Sequence, residues 1–182
     1  MASVPREAFV PEDVAAIAYM DRMVPLGGGR ALSPAASLGR MLTELHCQPG
    51  ERVLVVGAGS GYSAAILIAM GLEVVAVESD TALFARLQQV EGVIALGTAI
   101  GEGAPDHAPF DLILVDGQIE QLPDVLVDQL RTGGRLAACL LENGVSRLTI
   151  GTRSVHGFGL KNVTDAPMAP LPGFARPAVF TF

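Results

Sequence analysis

One turn constrains this chain more than any other feature. The apolar run Val53-Leu54-Val55-Val56 leads directly into Gly57-Ala58-Gly59-Ser60-Gly61, and Tyr62-Ser63-Ala64-Ala65 then opens a helical pattern. Strand, glycine-rich turn and helix in immediate succession are the setting that a nucleotide site requires. In that setting Gly57 permits the tight turn and Gly59 lets a ligand approach the backbone. The amides at the helix start can hold an anionic group with help from the helix dipole. The same glycines would also serve a strand-helix connection that is merely tight.

The pattern around the turn extends it into a fold. Short apolar runs at Arg52–Val56, Glu73–Val77, Val93–Leu96, Asp111–Val115 and Arg135–Cys139 are rich in Val, Leu, Ile and Ala, as strands buried on both faces are. Between them Tyr62–Met70, Asp80–Val90 and Pro123–Leu130 carry apolar residues at helical spacing, with Gly71, Gly92 and Gly133-Gly134 where helices would stop. This alternation predicts an α/β fold with a mostly parallel sheet and helices on both faces, joined by right-handed crossovers. Upstream, Ser33-Pro34 reads as an N-cap with proline at the first helical position. The helix Ala35–His46 would follow, with the apolar face Leu38, Met41, Leu42 and Leu45. After Asn143-Gly144 the signals weaken. Thr149–Arg153 and Ala178–Phe182 read as late strands, separated by a Pro/Gly-rich loop over Ala166–Pro177. No repeat or low-complexity segment divides the 182 residues, so residues 1–182 are expected to form one domain.

Composition enters as exclusion. A net charge of -7 with no Lys/Arg cluster disfavours a nucleic-acid partner, which needs a phosphate-neutralising face. The two cysteines, Cys47 and Cys139, are far apart and have no His or Cys at ligand spacing. They read as buried reduced thiols, with no metal and no disulfide implied. No signal-peptide pattern and no uncharged apolar stretch of roughly 18 residues occurs, so a cytoplasmic protein without a membrane partner is expected.

Spacing separates two classes of cofactor. A dinucleotide fingerprint wants its third glycine at position 62, where this chain has Tyr62, so NAD is the weaker reading. The GxGxG arrangement resembles motif I of the class I methyltransferases. That resemblance implies a Rossmann-like class I methyltransferase fold with S-adenosylmethionine as cofactor, the methionine carboxylate lying on the helix start. Gly57, Ala58, Gly59, Ser60, Gly61 and Tyr62 become the candidate cofactor-binding residues. Glu78 ends the run Glu73–Val77 about twenty residues after the first glycine, where a carboxylate can accept hydrogen bonds from both ribose hydroxyls. A solvated strand-end acid is the alternative there.

The stretches Val4-Pro5-Arg6-Glu7-Ala8-Phe9-Val10-Pro11, Pro25-Leu26-Gly27-Gly28-Gly29-Arg30-Ala31-Leu32-Ser33 and Val53 to Tyr62 together resemble the protein-L-isoaspartate O-methyltransferase family in order and spacing. So do His107 to Val115 and Gln129 to Leu136, and the resemblance runs from about residue 4 to residue 140. It implies methyl transfer from S-adenosylmethionine to the free α-carboxylate of an isoaspartyl residue, the first step in repairing age-damaged protein. The partners would be isoaspartyl peptides or proteins. By resemblance Ser33 is the candidate catalytic residue, hydrogen-bonding the acceptor carboxylate or lying beside the donor, with Ala31 and Leu32 backbone completing the clamp. Thr98, aligned where the family usually has an aspartate contacting the adenine amino group, joins the candidate cofactor set.

The chain departs from the family pattern at Val55, where an acidic residue is usual, and at Thr98. Ala31 replaces a frequent threonine, and Pro34 stands one place earlier than the family's proline. Family members also carry a helical segment before the Val-Pro-Arg-Glu stretch, and almost nothing precedes Val4, so a divergent, N-terminally short member is expected, either a truncated form or one whose lid is missing. Asp116, Gly117, Gln118 and Glu120 follow the fourth strand and read as a polar loop capping the next helix or as acceptor-pocket residues. Arg30 and Arg40 flank the acceptor helix and read as solvated side chains, with local attraction of an isoaspartyl carboxylate as the alternative, and His46, His107 and His156 read as surface or helix-end residues. Two further functions stay open: a non-catalytic or donor-sensing relative, and a carboxyl methyltransferase with another acceptor.

Overall fold

A computed structural model of the chain describes residues 3–176. After two short 3-10 turns, at Arg6–Phe9 and Glu12–Ile17, the chain forms a small antiparallel hairpin of β1 (Val24–Gly27) and β2 (Arg30–Leu32). Then follow α1 (Ala35–Leu45), β3 (Arg52–Val56), α2 (Tyr62–Ala69), β4 (Glu73–Val77), α3 (Thr81–Leu87) and β5 (Val93–Leu96). The chain continues with β6 (Phe110–Ile119), α4 (Asp124–Asp128), β7 (Leu130–Glu142), β8 (Val145–Ser154) and β9 (Gly157–Asp165). Seven strands make one sheet in the order β5-β4-β3-β6-β7-β8-β9, parallel from β5 to β7 and antiparallel over the last two.

Strand alternation explains why both faces are covered. Val53 and Val55 of β3 point into a core shared with α1, α2 and α3, while Leu54 and Val56 point into a second core shared with Leu126 of α4. All four are fully buried, each contributing about 1.5–3 kcal/mol of transfer free energy. The expected mostly parallel sheet with helices on both faces is the architecture found. Among the described residues no helix is long and apolar enough to cross a membrane.

Several boundaries differ from the sequence reading, each for a local reason. Helix α1 begins at Ala35 with Pro34 in the cap position and no capping bond from either Ser33 or Pro34. Asp21 does that work from outside the helix, its Oδ1 accepting from Ala36 N–H at 3.0 Å. Strand β6 runs on through residues 116–119, so Asp116, Gly117 and Gln118 lie in a strand and not in a helix-capping loop. Gly133-Gly134 fall inside β7, where no helix stops. Thr149–Arg153 lies within β8, but Gly157–Asp165, which no apolar run announced, is an edge strand. The strand expected at Ala178–Phe182 lies outside the described residues. Both cysteines are free; Cys139 is buried, its thiol pushed up to about 12 by desolvation, whereas Cys47 is only half-buried.

Candidate functional site

Strand β3 lies between β4 and β6, and the chain crosses over in opposite directions on its two sides. The carboxyl end of β3 is therefore the topological switch point, where doubly wound sheets bind ligands. Gly57 to Gly61 occupy that point, fastened to the neighbouring strand by Gly57 and Ala58 N–H groups, which both donate to Val77 O, at 3.0 and 3.1 Å. Gly61, at φ +95°, opens α2, and a Cβ there would come within 2.6 Å of the Val90 side chain. The whole turn is buried. Ser60 Oγ donates to Phe9 O at 2.6 Å, and Tyr62 stacks beside Phe9, with ring centroids 5.4 Å apart, beneath the Arg6 guanidinium at 4.9 Å.

Glu78 follows β4 and faces this turn. It is fully buried, so it is not a solvated strand-end acid. Its Oε2 accepts from Gly59 N–H at 2.7 Å and from Arg30 Nη2 at 3.0 Å. Its Oε1 accepts from Arg30 Nη1 at 2.7 Å, Ser79 N–H at 2.9 Å and Asp80 N–H at 3.0 Å. Five donors on one carboxylate use its full accepting capacity. Arg30 is 8% exposed and also reaches Gly57 O at 3.3 Å, which corrects its reading as a solvated side chain. Arg40 does remain half-exposed, in an i,i+4 pair with Glu44.

Ser33 lies on the other side of the turn. Its Oγ accepts from Ala169 N–H at 3.2 Å and its carbonyl from Arg6 Nη2 at 2.5 Å, so the residue is 3% exposed and does not cap α1. Among the described residues its hydroxyl hydrogen has no acceptor. Ala169 belongs to a strap, residues 166–174, laid over the sheet edge. Ser37 Oγ donates to Pro167 O at 2.8 Å, Gln118 N–H to Ala169 O at 2.8 Å, and Leu171 N–H to Gln118 O at 2.9 Å. Leu171 covers Gly57 and Gly117 so closely that a Cβ on either would sit 2.8 or 2.5 Å from its side chain.

Next to the turn, Asp116 sits where the β6–β7 register shifts, a bulge that re-aims the strand. Its carboxylate is 9% exposed and makes no hydrogen bond among the described residues. Burial raises its pKa to about 6; the Ser63 hydroxyl, Arg30 and Arg6 pull it down, and Glu78 adds to the rise. Ser63 Oγ is buried without a hydrogen bond of ordinary geometry. Arg6 is 1% exposed and spends Nε on Ala18 O at 2.7 Å, yet its buried Nη1 has no partner.

The structure thus brings Gly57 to Tyr62, Glu78 and Ser33 to one end of the sheet. Thr98 stands apart, exposed beyond β5 on the rim of a cavity of about 240 Å³ shared with Leu96, Glu102 and His107. Sequence reasoning did not single out Arg6, Ser63, Ala169 or Leu171. Arg6 had a signal only in its place within the Val4-Pro5-Arg6-Glu7 stretch. The strap had none beyond its prolines, because its role is fixed by backbone hydrogen bonds. Among the described residues no group of three or more His, Cys, Asp or Glu could hold a metal ion.

Residues 1–157 match the family model described as protein-L-isoaspartate(D-aspartate) O-methyltransferase (PCMT). A protein-L-isoaspartate O-methyltransferase of Methylorubrum populi is 43% identical over 141 residues, 75% of this chain and 66% of that relative, so the chain spans just under two thirds of its length. One from Gloeobacter violaceus is 35% identical over 178 residues, 94% of this chain and 87% of the relative. In three dimensions the chain resembles a solved protein-L-isoaspartate O-methyltransferase with TM-score 0.83 and 21% identity, covering 93% of this chain and 59% of the other. A Plasmodium falciparum protein of the same description, solved with S-adenosyl-L-homocysteine, gives 0.74 and 24% identity over 92% of this chain and 86% of that one. At these identities the two structures speak for the fold, which is that of the class I methyltransferases.

Proposed function

The chain belongs to the protein-L-isoaspartate(D-aspartate) O-methyltransferase family, and on that premise we propose that it methylates the free α-carboxylate of L-isoaspartyl residues in damaged proteins, with S-adenosylmethionine as donor. The observation that carries the proposal is the convergence of the glycine turn and a buried acid at the switch point, with Gly59 N–H 2.7 Å from Glu78 Oε2. These residues fit the donor. Glu78 is a carboxylate at the end of the second parallel strand, placed for a ribose diol. Its two bonds to Arg30 are exchangeable, while its three bonds to backbone N–H groups hold it in place. Gly57, Ala58, Gly59, Ser60, Gly61 and Tyr62 form the wall beside it, while Thr98, exposed beyond β5, stands apart from them.

The bound donor supplies an electrophilic methyl group on a sulfonium. The chain's own residues need only align and desolvate the acceptor, because a carboxylate is already ionised near neutral pH and requires no general base. Ser33 donates its unused hydroxyl hydrogen to one acceptor oxygen, while Ala169 N–H, donating to Ser33 Oγ at 3.2 Å, holds that hydroxyl in place. Arg6, buried with Nη1 unpartnered, favours a negatively charged acceptor at that end. Leu171 excludes water over the turn. The partners in this reading are isoaspartyl peptides and proteins, with neither nucleic acid nor membrane engaged, and residues 1–182 act in the cytoplasm as one domain.

A second reading, donor sensing without transfer, is favoured by one observation: Arg30 already fills the Glu78 carboxylate. Labelled methyl transfer to a synthetic isoaspartyl peptide, with the matching aspartyl peptide as control and calorimetric S-adenosylhomocysteine binding on the same sample, separates the two. Label on the isoaspartyl peptide alone establishes repair-type transfer. Binding without label points to sensing or to another acceptor, and absence of binding removes the donor assignment.

A further inference from the structure

We infer that Arg30 is an internal competitor for the donor's ribose diol, latching the β1–β2 hairpin onto Glu78 until the two hydroxyls displace it. The inference rests on the donor reading given above and adds a residue to it. Three observations carry it. First, the Glu78 carboxylate has no accepting capacity left, with five donors within 3.0 Å, and only the two from Arg30 come from a side chain that can leave. The other three are backbone amides of the turn and of the segment after β4, fixed by the sheet.

Second, the guanidinium is delivered by a hairpin whose tip is three consecutive glycines. Gly27, Gly28 and Gly29 form the hairpin tip with φ of +97°, +58° and +77°, and a Cβ on Gly27 or Gly29 would meet nothing within 4 Å. Arg30 is the first side chain after that tip, and its pair with Glu78 and reach to Gly57 O are the side-chain hydrogen bonds that tie the hairpin to the turn, beside the close approach of Leu26 to Gly59 and of Gly28 to Asp80. Third, Glu78 and the entire glycine turn are buried, with Leu26 and Arg30 of the hairpin among the residues that cover them. A diol reaching Glu78 must therefore move this hairpin. Arg30 and the two hydroxyls ask for the same oxygens, so occupancy by one excludes the other.

A ligand that must displace an internal competitor binds with its affinity reduced by the fraction of molecules already open. Replacing the guanidinium by a neutral side chain leaves Glu78 held by three amides and open toward the cleft. Arg30→Gln should then bind S-adenosylhomocysteine about tenfold or more tightly than the native chain, measured by calorimetry. Arg30→Lys, which keeps the charge but loses the two-pronged grip, should fall between them. The gain should vanish for a 2′,3′-dideoxyribose analogue of the same ligand, which makes no demand on Glu78.

Should Arg30→Gln fail to fold, the native protein still reports. Arginine side-chain nitrogen resonances should show slow guanidinium rotation at Arg30 without ligand and release on saturation with S-adenosylhomocysteine. Equal affinities for native protein and both variants, an equal gain for the dideoxy analogue, or an Arg30 signal unchanged by ligand would each overturn the latch while leaving the donor assignment intact. No binding to any of the proteins would remove that assignment, and the latch with it.

Discussion

The two sides of the cleft are built on opposite principles. On the donor side every polar atom of Glu78 is engaged, and the acid, its arginine and the glycine turn form a closed network. On the acceptor side Asp116 has no hydrogen bond among the described residues, and Ser63 Oγ and Arg6 Nη1 are buried without one. Buried polar groups are ordinarily satisfied, and each that is not costs about 1–3 kcal/mol. The contrast shows where the fold has invested in rigidity and where it keeps groups in reserve for a ligand. One side is fully paired; the other keeps buried polar groups unpaired at a cost in stability.

The strongest way to break this contrast is to remove the acid. Glu78→Ala strips Arg30 of its buried partner and should destabilise the fold by about 3–5 kcal/mol, read from urea unfolding, and abolish S-adenosylhomocysteine binding. The double variant Glu78→Ala/Arg30→Ala should recover much of that stability and none of the binding. Additive losses would show that the pair is not the network described.

Asp116 tests the opposite side with the opposite sign. A buried acid whose folded pKa of about 6 lies above its ordinary value favours the folded state less as pH rises through that window and is fully unfavourable above it. Asp116→Asn should therefore stabilise the protein at pH 8 by up to about 3 kcal/mol, with the gain gone by pH 4. A variant less stable than the native chain at pH 8 would mean that Asp116 has a partner after all.

The smallest effect sharpens the comparison. Ser63→Ala deletes a buried hydroxyl with no partner of ordinary geometry, so its unfolding free energy, read from urea unfolding, should match or slightly exceed the native one, within about 1 kcal/mol.

What could be read from the sequence follows the physics of each element. Strands β3, β4 and β5 were legible to the residue, because each is a run of apolar residues, which burial on both faces explains for β3 and β4 and which the half-buried edge strand β5 shares. Strand β9 was not: Gly157-Phe158-Gly159-Leu160-Lys161 is an edge segment with mostly exposed side chains, and its pairing with β8 is a backbone matter. At the site, Gly57 to Gly61 and Glu78 carry their spacing in the sequence, so they could be named. The Arg30–Glu78 pair spans 48 residues, and no local pattern marks which arginine will be buried. Asp116 looked like loop because an acid after a strand usually is; only the bulge opposite β7 draws it inside.

The strap over residues 166–174 has a consequence for how this protein can be cut. The family match ends at residue 157, yet Ala169 and Leu171 close the cleft from beyond that point. A fragment stopped there would keep the glycine turn and lose its roof. It would also leave β8 with a bare row of amides and carbonyls where β9 now pairs, the kind of unguarded border along which sheets join one another and precipitate. The stretch matched by the family model is thus shorter than the part that must be kept together in one piece.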